Sequence, residues 1–169
     1  HILVILCLSM ISCEGNLEPE LFDQITPENF LTNEDDVKTA VTGVYAEFRG
    51  ISEWGRYKTS WGSVMTLQEV PTDLWAANWF YKAHTDFMWK ATDYFVCEIF
   101  EFFVPAITKA TALIARIQDA PVSDDIKNRY IAELRVVRAL WMYDLFDLYG
   151  PVPAITDPEK ILNPTQDFT

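Results

Sequence analysis

The chain has 169 residues, half of them apolar and 14% aromatic, which is ample material for a core and excludes a disordered chain. A formal net charge of −12 excludes a surface built for nucleic acid or anionic lipid, since either needs clustered Lys and Arg. A neutral ligand is compatible with that balance.

In chain order, His1 to Ser12 is almost wholly apolar, too short to span a bilayer as a helix and suited to the h-region of a secretory signal. Met10-Ile11-Ser12-Cys13 puts a small residue directly before a cysteine and resembles a bacterial lipobox. Residues 1–12 are therefore expected to be the remaining part of a lipoprotein signal peptide, without its Met and Lys/Arg n-region, and Cys13 to carry lipid. The blander alternative is a buried N-terminal strand or helix. Residues 13–29, polar with Gly and Pro, read as a tether, and residues 30–169 as a helical domain. With Cys7 lost with the signal and Cys13 acylated, Cys97 stands alone as a small core residue, and no disulfide framework is implied.

Thr32 or Asn33 can cap a first helix with Glu34, Asp35 and Asp36 in its opening turn, Val37, Val41, Val44 and Phe48 on one face, and an end near Gly50. Gly43 inside that helix costs about 1 kcal/mol relative to Ala, for which close approach by another helix is the usual compensation. From Ile51 to Trp89 the helical signal fades and large aromatics crowd among Gly, Pro, Asn and Asp. Flat rings on loops beside amides and carboxylates suit carbohydrate, because rings stack on the C–H faces of sugars while polar groups take the hydroxyls. Core packing is the competing role for each ring singly.

The next helical pattern runs from about Asp93 to Asp119, with Phe95, Ile99, Phe103, Ile107, Ala110, Ile114 and Ile117 on its apolar face. Pro105 lies within it and allows two readings, one long kinked helix or a second helix starting at the proline. Ala120 to Ser123 is a short turn that makes antiparallel neighbours of this helix and the next. The last helix opens at Ser123, a possible cap, and stops at Gly150-Pro151. Tyr130, Leu134, Val137, Trp141, Leu145 and Leu148 form its buried stripe, with Arg135 and Arg138 on a flank in reach of carboxylates. Pro153, Pro158 and Pro164 punctuate the exit, and the chain is read as ending mid-protein.

Few groups are available for catalysis. Glu69 with Asp73 and Asp144 with Asp147 are the carboxylate pairs, the second more readily a solvated edge or an arginine partner. No phosphate loop, nucleophile elbow, CxxC or HExxH is present, so no catalytic residue, metal site or cofactor is assigned.

Three stretches together are similar to one family. Ala132-Glu with Arg135-x-x-Arg138-Ala-Leu, Trp141, Tyr143 and Asp147-Leu-Tyr-Gly-Pro-Val-Pro153 resembles a segment shared by SusD/RagB-type outer-membrane glycan-binding lipoproteins. Thr26-Pro-Glu-Asn-Phe-Leu followed by Ala40-Val-Thr-Gly-Val-Tyr45 resembles that family's first helix. Gln68-Glu-Val-Pro-Thr-Asp-Leu-Trp75, then Trp79 and Ala83-His-Thr-Asp86, resembles its ligand loop, with Gln68-Glu69 where Ser/Thr-Asp-Glu is usual. Thr111 stands where the family has Asn.

The resemblance implies a mainly α fold, a tetratricopeptide-like helical array with an irregular aromatic-rich loop, cut before the C-terminal half. It further implies lipid anchoring at the outer-membrane surface and capture of oligo- or polysaccharide. The glycan would pass to a SusC-like TonB-dependent transporter without catalysis. By position, Trp75, Asn78, Trp79 and Tyr81 would contact glycan. The alternative is a helical-repeat scaffold lipoprotein that binds a protein or peptide, and a weaker third is a glycosidase using Glu69.

Overall fold

The computed structural model describes residues 30–49, 64–76, 81–153 and 155–161. All of these but Phe30 belong to a unit beginning at Leu31. Cys13, Asn78, Trp79, the signal and the tether lie outside the described residues. Helix accounts for 71% of the described residues and no strand is among them, which makes the chain mainly α.

Helix α1 spans Glu34–Ala46 and continues into a 3-10 turn, Glu47–Arg49. Asn33 is its cap: the side-chain oxygen accepts from the Asp36 amide at 3.0 Å. The Asp36 carboxylate reaches back to accept from the Thr32 amide at 2.9 Å and the Thr32 hydroxyl at 2.7 Å, a reciprocal capping arrangement. Those bonds, the Thr32 hydroxyl first, hold the Asp36 carboxyl below its ordinary range. They also fix the chain at Leu31, which is buried and takes a left-handed φ of 67°. Val37, Val41 and Val44 are buried as their spacing predicts, and Phe48 lies against Trp141 with ring centroids 4.7 Å apart. Gly43 departs from expectation: it is exposed and a Cβ there would meet nothing within 4 Å, so no helix among the described residues approaches it closely.

Where the helical signal fades, two short helices nonetheless form, α2 (Val64–Glu69) and α3 (Lys82–Thr85). Neither is long enough for periodicity to register. Burial of Val64, Thr66 and Val70 seats α2, and the Gln68 amide donates to Asp147 at 2.8 Å.

Helix α4 runs unbroken over Tyr94–Asp119 with Pro105 inside it, which decides for the single helix. Pro105 and Glu101 are both exposed, so the Glu101 carbonyl that loses its intrahelical donor lies on the water-facing side. Helix α5 spans Asp124–Tyr149 and ends at Gly150, whose amide donates to the Phe146 carbonyl at 2.9 Å. Gly150 sits at φ 75°, ψ −148°, a region essentially confined to glycine. Ser123 occupies the cap position, but its hydroxyl makes no capping bond; backbone geometry and the two aspartates at the first turn start the helix without it.

The α4–α5 hairpin is the main interface, and α1 packs on both helices. Glu34 pairs with Arg129, Tyr45 with Glu133 and Phe48 with Trp141, in rising order, so α1 runs parallel to α5. Ile107, Ile117, Leu134, Trp141 and Leu145 are fully buried between the helices, each contributing about 1.5–3 kcal/mol of transfer free energy. Arg138 meets no carboxylate among the described residues. Its guanidinium donates to the Thr111 hydroxyl at 3.0 Å and the Thr156 carbonyl at 3.5 Å. Thr111 in turn donates to the Ile155 carbonyl at 2.6 Å. The exit after Val152, itself buried, is thus pinned back across the hairpin.

Candidate functional site

The described aromatic region is built on the single turn of α3. The amides of His84 and Thr85 donate to the Tyr81 carbonyl at 2.9 and 3.1 Å, and an exposed Lys82–Asp86 pair at 2.6 Å spans the turn. The turn closes with the Phe87 amide on the His84 carbonyl at 3.3 Å and the Met88 amide on the Ala83 carbonyl at 2.8 Å. These crossed bonds are a Schellman closure, in which the residue after the cap is left-handed and usually Gly. Here it is phenylalanine, at φ 56°. A non-glycine residue in that conformation costs about 1–2 kcal/mol.

The rings that follow form one connected surface. Phe87 is 69% exposed and Met88 71%. Phe87 leans on Trp89 with centroids 5.6 Å apart, and Trp89 lies nearly parallel over His84 at 5.9 Å. His84 meets the edge of Phe95 at 5.5 Å, Tyr81 stacks on Phe95 at 5.5 Å, and Tyr94 approaches Phe95 edge-on at 5.3 Å. Phe95 is buried on α4 and anchors the group to the core, while Phe87, Met88, Trp89 and Tyr94 face outward. The following turn is fixed by the Lys90 amide on the Asp93 carboxylate at 2.8 Å. The half-buried Cys97 thiol, placed at the core margin rather than inside it, donates to the Ala91 carbonyl at 3.2 Å.

Of the candidates read from sequence, Trp75 is exposed at 47% on the turn after α2. Tyr81 is half-buried with a ring face taken by Phe95, and burial raises its phenol above the ordinary value. Asn78 and Trp79 fall outside the described residues. Phe87, Met88 and Tyr94 were not singled out. The only local signal for them was density of aromatics, which does not separate a surface ring from a core ring.

Glu69 and Asp73 are both exposed, and Asp147 holds Gln68. Asp144 is buried, not on a solvated edge, because it falls on the core-facing stripe beside Leu145. Among the described residues no three His, Cys, Asp or Glu gather as a metal would require, and no helix is long and apolar enough to cross a membrane. A concavity of about 410 Å³ opens between α1 and α5. Tyr45, Arg129, Tyr130 and Glu133 are among its lining residues, and the Tyr45 hydroxyl donates to the Glu133 carboxylate at 3.5 Å.

Comparison of the chain with protein-family models, curated proteins and solved structures returned no match.

Proposed function

We propose that the chain is a non-catalytic glycan-binding lipoprotein of the SusD/RagB type, held by lipid at the outer-membrane surface and delivering oligo- or polysaccharide to a TonB-dependent transporter. The observation that carries the glycan reading is Phe87, a ring kept largely in water at a left-handed position where glycine would relieve the backbone. Strain retained at an exposed residue points to a use for that residue. With Trp89 and Tyr94 it offers apolar ring surface to the C–H faces of sugars, and the exposed Trp75 suits the same role. The motif resemblance around Arg135-x-x-Arg138-Ala-Leu and Tyr149-Gly-Pro-Val-Pro supports the family assignment.

The finer fold, a tetratricopeptide-like array, is supported by the outer side of α5. Val136, Leu140, Tyr143 and Phe146 are exposed there opposite the buried stripe, and apolar residues on both sides suit a helix within an array. The same face favours the second reading, a scaffold that binds a protein or peptide.

Affinity electrophoresis of the chain with Cys13→Ser, against plant, host and microbial polysaccharides, tests the proposal. Retardation by at least one polysaccharide, abolished in Phe87→Ala/Trp89→Ala and weakened in Trp75→Ala, is the expected result. Retardation indifferent to all three substitutions removes the site from these rings. No retardation, with a protein captured through the α5 face and lost in Leu140→Asp, gives the scaffold reading.

A further inference from the structure

His84 is 4% exposed, and neither ring nitrogen has a hydrogen-bond partner among the described residues. An imidazole buried without partners is costly, and uncommon enough in native structures to call for a reason. It is also placed where its charge state matters, between the parallel ring of Trp89 and the edge of Phe95, directly beneath the exposed surface.

We infer that His84 is a pH-operated latch: neutral, it is the apolar shelf on which Trp89 and Phe87 rest, and protonated, it leaves that shelf and opens the platform. The consequence for ligand, release in acid, rests on the glycan reading; the opening does not.

The surroundings favour this. Burial lowers the affinity of His84 for a proton below that of ordinary imidazole, and the opposing effect comes from the Asp93 carboxylate at the start of α4. Asp93 is engaged with the Lys90 amide. Burial raises the Tyr81 phenol above its ordinary value, so it stays neutral throughout the acid range, and Trp89 and Phe95 carry no charge. On the same turn Lys82 and Asp86 pair with each other in solvent. Protonation therefore creates an imidazolium between rings, with one partly occupied carboxylate for relief, and escape to water is the better-solvated outcome. The bonds of the Phe87 and Met88 amides run to His84 and Ala83 within the turn itself, so the turn can open locally without unfolding the hairpin.

The test uses the whole chain and three readouts between about pH 7.5 and pH 5. With two histidines in the sequence, the His84 resonance is assigned by its loss in His84→Phe. Proton NMR should show it titrating together with a chemical-shift change at Trp89. Hydrogen-exchange protection factors at Phe87 and Met88, which remove the intrinsic pH dependence, should fall by up to about tenfold one unit below the ordinary imidazole value of 6.5. In His84→Phe they should stay level. Equal acid dependence in wild type and His84→Phe overturns the latch, as does wild-type His84 titrating with no change in protection. If His84→Phe does not fold, the wild-type titration and protection data decide alone. Polysaccharide retardation at the two ends of the range is the third readout. Loss in acid for wild type alone supports release, and absence at every pH counts against the glycan reading while the exchange data still judge the latch.

Discussion

Replacing Thr111 by Val removes one oxygen and tests how the exit segment is held. The hydroxyl is buried, donates to the Ile155 carbonyl at 2.6 Å and accepts from the Arg138 guanidinium at 3.0 Å. Val keeps the β-branched shape and so leaves helix propensity nearly unchanged. A neutral hydrogen bond contributes about 1 kcal/mol net and one to a charged donor about 1.5–3 kcal/mol. Arg138 and Ile155 are only half-buried, so water recovers part of that sum, and the expected loss is about 2 kcal/mol. In urea this lowers the midpoint by about 1 M for a slope near 2 kcal/mol/M. Limited proteolysis should cut Ile155 to Ile161 before the hairpin. Thr111→Ser, which keeps the hydroxyl, should retain the protease resistance of the segment. A cycle with Arg138→Met should show a coupling of about 1 kcal/mol. A Thr111→Val midpoint at or above wild type, or strict additivity with Arg138→Met, would refute the pinning.

Gly43→Ala should stabilise the chain by about 0.5–1 kcal/mol, since the site is open and helical; a lowered melting temperature would show an unseen close approach. Gly150→Ala should cost about 1–3 kcal/mol by forcing a Cβ into φ 75°, ψ −148°, and denaturant unfolding reads it directly. Burial pushes the Tyr149 phenol, which donates to the Val96 carbonyl, up to about 12. Because the folded value is raised, its contribution is complete below 10 and is lost as pH climbs from 10 towards about 12. Ultraviolet titration should find a tyrosine ionising well above 10 that is missing in Tyr149→Phe, and Tyr149→Phe should flatten stability over that window.

Much of the helical framework was legible because it is written in residues close in sequence. Asn33 and the acidic turn after it start α1, the four-and-three spacing from Tyr130 to Leu145 marks the buried side of α5, and Gly150 stops it. Each signal needs only the backbone within a turn or two, and each produced the element it implied. The aromatic crowding between Ile51 and Trp89 was legible as composition, but not as geometry. Which ring is shelf and which is surface depends on where α4 puts Phe95, and on the Schellman closure that turns Phe87 outward.

The amino-acid sequence by itself determined the mainly helical class, the Asn33 cap, the Gly150 stop and the apolar face of each long helix, because local sterics and 3.6-residue periodicity need no distant partner. Only the tertiary structure decided what each face meets. Thr111 bridges Arg138 to Ile155, His84 is buried with no hydrogen-bond partner among the described residues, Asp144 lies in the core, and Gly43 faces open space. These outcomes depend on side chains brought together from separate helices and turns, and periodicity along one segment says which side is apolar without saying what will cover it.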